Sequence, residues 1–177
     1  MKNLEIEKKY LVSSRLNLDT QIINKQKRIT QGYIYIDKFT EVRVRSIETA
    51  EYKKFFYTVK TSEKSLLTRY ENKFEISEEL FNNLIENIKP GTSVISKDRY
   101  NIELANGLVA ELDIFYGELE GLEMVEVEFT SEEEANSFVK PDWFGEDVTT
   151  YRQYKNKELA KYKRNTPNVL KKEMSKK

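Results

Sequence analysis

Cysteine and histidine are both absent from the 177 residues. Their absence removes disulfides, thiolate nucleophiles, thiol and imidazole metal ligands and the commonest general base together. Any chemistry falls to carboxylates, lysines, arginines and tyrosines. Net charge is absent too, since 30 basic residues cancel 30 acidic ones, so no whole-molecule field argues for a nucleic acid or an anionic membrane as partner. Electrostatic function must be local. No apolar run approaches the roughly 18 residues of a membrane span, and the opening MKNLEIEKK lacks the apolar core of a signal peptide. The expected setting is soluble and cytoplasmic. At this length one domain with a sizeable core is the natural expectation, and no repeat, low-complexity block or linker divides the chain.

What is present is a succession of short alternating segments. Candidate strands fall at 4–11, 31–37, 40–47, 54–61, 68–76, 94–103, 107–116 and 122–129, several joined by short polar connections suited to antiparallel hairpins. Three helices are expected among them: SEELFNNLIENIKPG from Ser77, with apolar Leu80, Phe81, Leu84, Ile85 and Ile88, then SEEEANSFV, whose Ser131 and Glu134 form a capping box, and YKNKELAKYKR near the end. One domain spanning 1–165 is expected, with 166–177 as a basic, frayed tail.

Within the strands the charges keep a common parity. Glu5, Glu7 and Lys9 share one face in LEIEKKYLV, as do Arg43 and Arg45 in EVRVRS, and Arg69, Glu71 and Lys73 in TRYENKF. Lys97 pairs in parity with Arg99, Glu111 with Asp113, Glu126 with Glu128, and Lys60 with Thr58, mostly backed by apolar residues on the other face. Like charges two apart on a strand, at roughly 7 Å, repel, so a water-facing sheet would normally mix signs. Here acid pairs occupy the first, seventh and eighth strands and basic pairs the third and sixth. A divalent cation held by carboxylates, itself bound to a polyanion held by lysine and arginine, would neutralise both sets. With the charged faces turned inward, the expected fold is α+β: a closed eight-stranded antiparallel β-barrel with flanking helices, its lumen about wide enough for one small ligand. Oxygen-only ligands favour Mg²⁺ or Mn²⁺, and guanidinium forks favour phosphate. The expected ligand is therefore a polyphosphate with a divalent metal.

These segments resemble the CYTH domain, the bacterial branch of the triphosphate tunnel metalloenzymes. Glu5-Ile6-Glu7-Lys8-Lys9 is similar to the family's Glu-x-Glu-x-Lys hallmark, and QGYIYI, VRVR, TVK, Arg69 with Glu71, KDRY, ELDIF, VEVEF and PDWFGEDVTTYRQYKN follow in the family's order over roughly residues 4 to 160. The resemblance implies a triphosphate tunnel in which Glu5, Glu7, Glu126 and Glu128 hold the catalytic metal. Glu71 and Asp113 would serve a second metal or position the attacking water, with Glu111 a weaker candidate. Lys9, Arg43, Arg45, Lys60, Arg69, Lys97 and Arg99 would grip the phosphates, and Lys9 could also help to position the water. The implied activity is metal-dependent hydrolysis of inorganic triphosphate or a related short polyphosphate. The alternatives are a class IV adenylate cyclase, a thiamine triphosphatase and a non-catalytic polyphosphate sensor. A homodimer is compatible with the family, though no residue argues for it. One departure stands out: where similar fifth strands read Arg-x-Glu-x-Glu, this chain has Lys73 as the last residue.

Overall fold

The computed structural model describes residues 6–13, 26–62 and 69–162. Nine strands occur in chain order: β1 (Ile6–Val12), β2 (Lys27–Ile36), β3 (Thr40–Glu48), β4 (Lys53–Ser62), β5 (Arg69–Ile76), β6 (Ile95–Glu103), β7 (Val109–Tyr116), β8 (Glu123–Phe129) and β9 (Phe144–Asp147). They form one antiparallel sheet in the order β5-β4-β3-β2-β6-β7-β8-β1-β9. Among the described residues three short α-helices accompany it: α1 (Glu78–Glu86), α2 (Glu132–Ser137) and α3 (Asn156–Leu159).

This corrects the closed eight-stranded α+β barrel expected from the sequence. Among the described residues the sheet is open, has nine strands, and carries little helix. The reason lies at β1, whose one edge pairs with β8 while Tyr10 and Val12 on the other pair with Asp147 and Phe144 of β9. That edge is occupied, and among the described residues β5 pairs only with β4. The ninth strand comes from FGED, too short to register as an alternating segment. β2 also begins four residues before its expected start, and the final helix is one short turn, Asn156–Leu159, with the residues after Tyr162 outside the described set. The 166–177 tail lies outside it as well, as does Glu5.

On the outer face, Tyr10, Leu112, Val125, Val127 and Phe144 pack as one apolar layer with Ala135 of α2. Burying side chains of this size contributes about 1.5–3 kcal/mol each, so the layer anchors the β7-β8-β1 half. Trp143 joins it edge-on to Phe144, 4.4 Å between ring centroids. The other half is covered by α1. Ser77 caps it by accepting from the Leu80 amide at 3.2 Å, and Phe81 packs on Phe55 and Val44. Gly32 lets the helix approach: a Cβ there would stand 2.5 Å from Ile88 and 2.7 Å from Ile85.

The inner face is divided. At one end the closing segment packs Val148, Tyr154, Leu159, Ala160 and Tyr162 onto Tyr33, Ile95, Phe115 and Met124. At the other end the inner face is lined by charge. Among the described residues no helix is long and apolar enough to cross a membrane.

Candidate functional site

The strand registers bring the charged parities together. Glu7 lies opposite Glu128, Lys9 opposite Glu126, Glu126 opposite Glu111, and Arg99 opposite Asp113. Across the sheet Arg43 lies opposite Thr58, and Lys60 opposite both Glu41 and Glu71. The result is a cavity of about 630 Å³ with Glu7, Glu111, Glu126 and Glu128 on one wall and Arg43, Arg45 and Lys60 on the other. Its size is that of a small-ligand site.

On the acid wall, like charges opposite one another would be destabilising, and two cations relieve them. Lys9 Nζ lies 2.5 Å from Glu126 Oε1 and 3.1 Å from Glu7 Oε1. Arg99 donates to Glu126 Oε2 at 2.8 Å, to both Asp113 oxygens at 2.6 Å, and to Glu111. Burial works against the Glu126 carboxylate, but Lys9, Arg99 and Lys97 outweigh it and hold its pKa well below the usual range. Burial likewise opposes the Lys9 ammonium, and Glu126 and Glu7 more than offset it, so its pKa rises. Both groups stay charged.

Lys97 and Asp113 lie deeper, near the apolar plug, where neither lines the cavity. Lys97 is fully buried and meets Asp113 Oδ2 at 2.5 Å. Burial is the leading influence on its pKa, which falls to about 8. Asp113 thus acts here as the counter-ion of Lys97 and Arg99.

The basic wall is balanced differently. Glu71 receives Lys60 at 2.8 Å and Arg43 at 3.7 Å. Its pKa is lowered because these cations overcome the opposing effect of burial. Arg45 meets no carboxylate among the described residues. Its guanidinium donates to Gln31 Oε1 through Nε at 3.1 Å and Nη2 at 2.8 Å. Burial, then the like charges of Arg43 and Arg99, pulls its pKa down. Gln31 is fully buried, and among the described residues neither its Nε2 nor the buried Arg43 Nε has a hydrogen-bond partner. Unmet donors beside an uncompensated cation form a place for an anion.

The sequence reading missed several lining residues. Lys27, Tyr33, Glu41, Lys155 and Lys157 all reach the cavity, and Lys157 of α3 pairs with Glu41 of β3 at 2.6 Å. Glu41 shares the parity of Arg43 and Arg45, a signal present in EVRVR. Lys157 comes from the closing segment, whose position depends on the plug. The Arg69 side chain lies outside the described residues. No three acidic side chains among the described residues group together as a metal cluster.

No family model matches the chain. It is 35% identical over 159 residues to an inorganic triphosphatase of Nitrosomonas europaea, an alignment covering 88% of this chain and 96% of that one. It is 37% identical to an inorganic triphosphatase of Acetivibrio thermocellus, covering 89% and 93%. A crystal structure of an inorganic triphosphatase superposes with a TM-score of 0.66 at 34% identity, covering 93% of this chain and 97% of that one.

Proposed function

Because the chain belongs to the inorganic triphosphatases, we propose that it hydrolyses inorganic triphosphate in the cavity between its two charged walls. The observation that carries this reading is Arg45, a cation facing the cavity with Gln31 as its partner and no carboxylate in contact among the described residues. A polyanion supplies the missing charge.

In this reading Arg43, Arg45 and Lys60 bind phosphate oxygens, with Arg69 extending the set. Arg99, on β6 between the two walls, serves where they meet, and Lys9 serves on the acid wall. Arg99 is held by three carboxylates, so it offers a fixed guanidinium edge. Lys97 supports Asp113 and Arg99 from beneath. Phosphoryl transfer needs positioning and charge stabilisation more than covalent chemistry, and this cationic edge would stabilise the leaving pyrophosphate.

A divalent cation would match the acid wall's donor chemistry, although no three acids among the described residues are gathered as a ready cluster and Lys9 spans Glu7 and Glu126. Glu7, Glu126 and Glu128 present only oxygen to one cavity, the preference of hard ions such as Mg²⁺ or Mn²⁺. These residues, with Glu5, would hold it, and bound there it would neutralise charge on the phosphate oxygens. Lys9 already bridges Glu7 and Glu126, so it is placed to donate to a phosphate oxygen or to orient water. Glu71 remains a candidate for positioning the attacking water from the basic side. Water activation falls to a carboxylate in a chain without histidine.

The test is phosphate release from tripolyphosphate, ATP and thiamine triphosphate in parallel, each with Mg²⁺, Mn²⁺ or chelator, and with the ATP reaction assayed for cyclic AMP. Fast metal-dependent release from tripolyphosphate is the expected result. Cyclic AMP formation, or binding without turnover, would overturn it in favour of a cyclase or a sensor.

A further inference from the structure

The free edge of the sheet carries a pattern of its own. β5 runs beside β4 in unbroken register from Arg69 to Ile76, contains no proline, and pairs with no other strand among the described residues. The helix that follows it, α1, packs over β2, β3 and β4 instead. Residues 72–75 are exposed on both faces of the strand, and Phe74 is 57% exposed. An edge left in this state is a template for another strand.

The charges along β5 say which strand. Arg69, Glu71, Lys73 and Glu75 alternate in sign on the cavity-side parity, with Tyr70, Asn72 and Phe74 between them on the other. When a second copy of β5 is set antiparallel about a two-fold axis at Asn72, Arg69 falls opposite Glu75, Tyr70 opposite Phe74, Glu71 opposite Lys73, and Asn72 opposite itself. Every charged rung then joins opposite signs. A slip of two residues, the smallest that keeps both cavity faces on one side, breaks the match. In one direction Glu71 meets Glu71 and Arg69 meets Lys73, and in the other Lys73 meets Lys73 and Glu71 meets Glu75. Opposite charges stabilise directly opposed positions and like charges destabilise them, so the pattern selects one partner and one register. An edge defended only by charge repulsion would carry a single sign.

The ion pairs of the single chain leave room for this exchange. Lys73 makes no ion pair among the described residues, its Nζ lying 4.0 Å from the Phe56 ring centroid. Glu75 holds Lys54 at 3.2 Å, with both side chains about half exposed, and such surface pairs are weak. Nothing in the sequence alone marks these residues, since only the open sheet leaves β5 at an edge.

We propose that β5 is a dimerisation edge. Two copies of this chain join their sheets antiparallel through it, with Asn72 at the two-fold axis and the partner's Lys73 opposite Glu71, a residue that lines the cavity. The interface is isologous, each copy presenting the same strand.

The chain has no cysteine, so single introduced thiols report the register. Sedimentation of the full chain should give twice the chain mass. Asn72→Cys should oxidise to a covalent dimer, because directly opposed strand residues have Cα atoms about 4.5–5.5 Å apart, within the disulfide range. Tyr70→Cys and Phe74→Cys should cross-link when mixed and neither alone. Val139→Cys, at a position 86% exposed between α2 and β9, measures random collision. Lys73→Glu, which sets acid opposite Glu71, should shift the mass to the monomer with circular dichroism unchanged, and Lys73→Arg should keep the dimer. A wild type that stays monomeric at its highest soluble concentration overturns the proposal. So does a dimer in which Asn72→Cys cross-links no faster than Val139→Cys, or one that Lys73→Glu leaves intact.

Discussion

On the β7-β8-β1 wall, each buried carboxylate is met by a cation of the chain itself: Glu126 by Lys9 and Arg99, Asp113 by Lys97 and Arg99. On the β2-β3-β4 wall, among the described residues, Arg45 has only the amide oxygen of Gln31, and Gln31 Nε2 and Arg43 Nε beside it have no hydrogen-bond partner. The buried acids of one wall carry counter-ions from the chain, whereas Arg45 on the other carries none among the described residues. The difference separates two roles that identical residue types can play. Lys9, Lys97 and Arg99 are held by carboxylates and build the site, as Arg43 and Lys60 are by Glu71, while Arg45, with no acid in contact among the described residues, is left to meet the occupant.

Breaking the acid wall should have the largest effect. Glu126→Ala removes the carboxylate shared by two buried cations, leaving Lys9 to Glu7 and Arg99 to Asp113 and Glu111, so stability should fall by about 3–5 kcal/mol at most, the usual result of removing one partner from a buried pair, and phosphate release should fall at least about 100-fold. Thermal melts and a phosphate assay check both. Unchanged stability would show that Lys9 and Arg99 find water or another partner.

Arg45→Met should act in the opposite sense on the folded state. Removing an uncompensated cation leaves the ligand-free thermal midpoint at or above that of the wild type, whereas KM for tripolyphosphate should rise roughly tenfold or more. A lowered midpoint with unchanged KM would place Arg45 among the builders. The smallest effect is expected outside both walls, where Asp98 accepts from Arg28 and from the Tyr116 hydroxyl at 2.7 Å. Burial opposes its charge, but Arg28 and Tyr116 hold its pKa below 3.8. A depressed carboxylate pKa contributes stability above the unfolded value that is lost as pH falls below it. Melts from pH 6 to pH 2.5 should show Asp98→Asn losing part of the wild type's acid sensitivity, with tripolyphosphate kinetics at neutral pH retained.

Much of this contrast was legible in the sequence, because side-chain parity is a local property. The residues Glu7, Lys9, Arg43, Arg45, Lys60, Glu71, Glu126 and Glu128 all reach the same cavity from the alternation of their strands. Closure was not legible, since it depends on which strand takes the free edge of β1, and the four-residue FGED segment carries no alternation to announce it. Depth was not legible either. Asp113 shares parity with Glu111, yet only Glu111 lines the cavity, because the closing segment plugs the end nearer Asp113. The Lys157–Glu41 pair depends on that same distant packing.

The most direct test of the two-wall account is the thermal midpoint of the wild type and Arg45→Met, each with and without tripolyphosphate, in the presence of chelator. Tripolyphosphate should raise the wild-type midpoint, since a ligand that binds only the folded state stabilises it, and should raise that of Arg45→Met far less. Equal shifts in the two proteins, or no shift in the wild type, would contradict the claim that the basic wall is completed by its substrate.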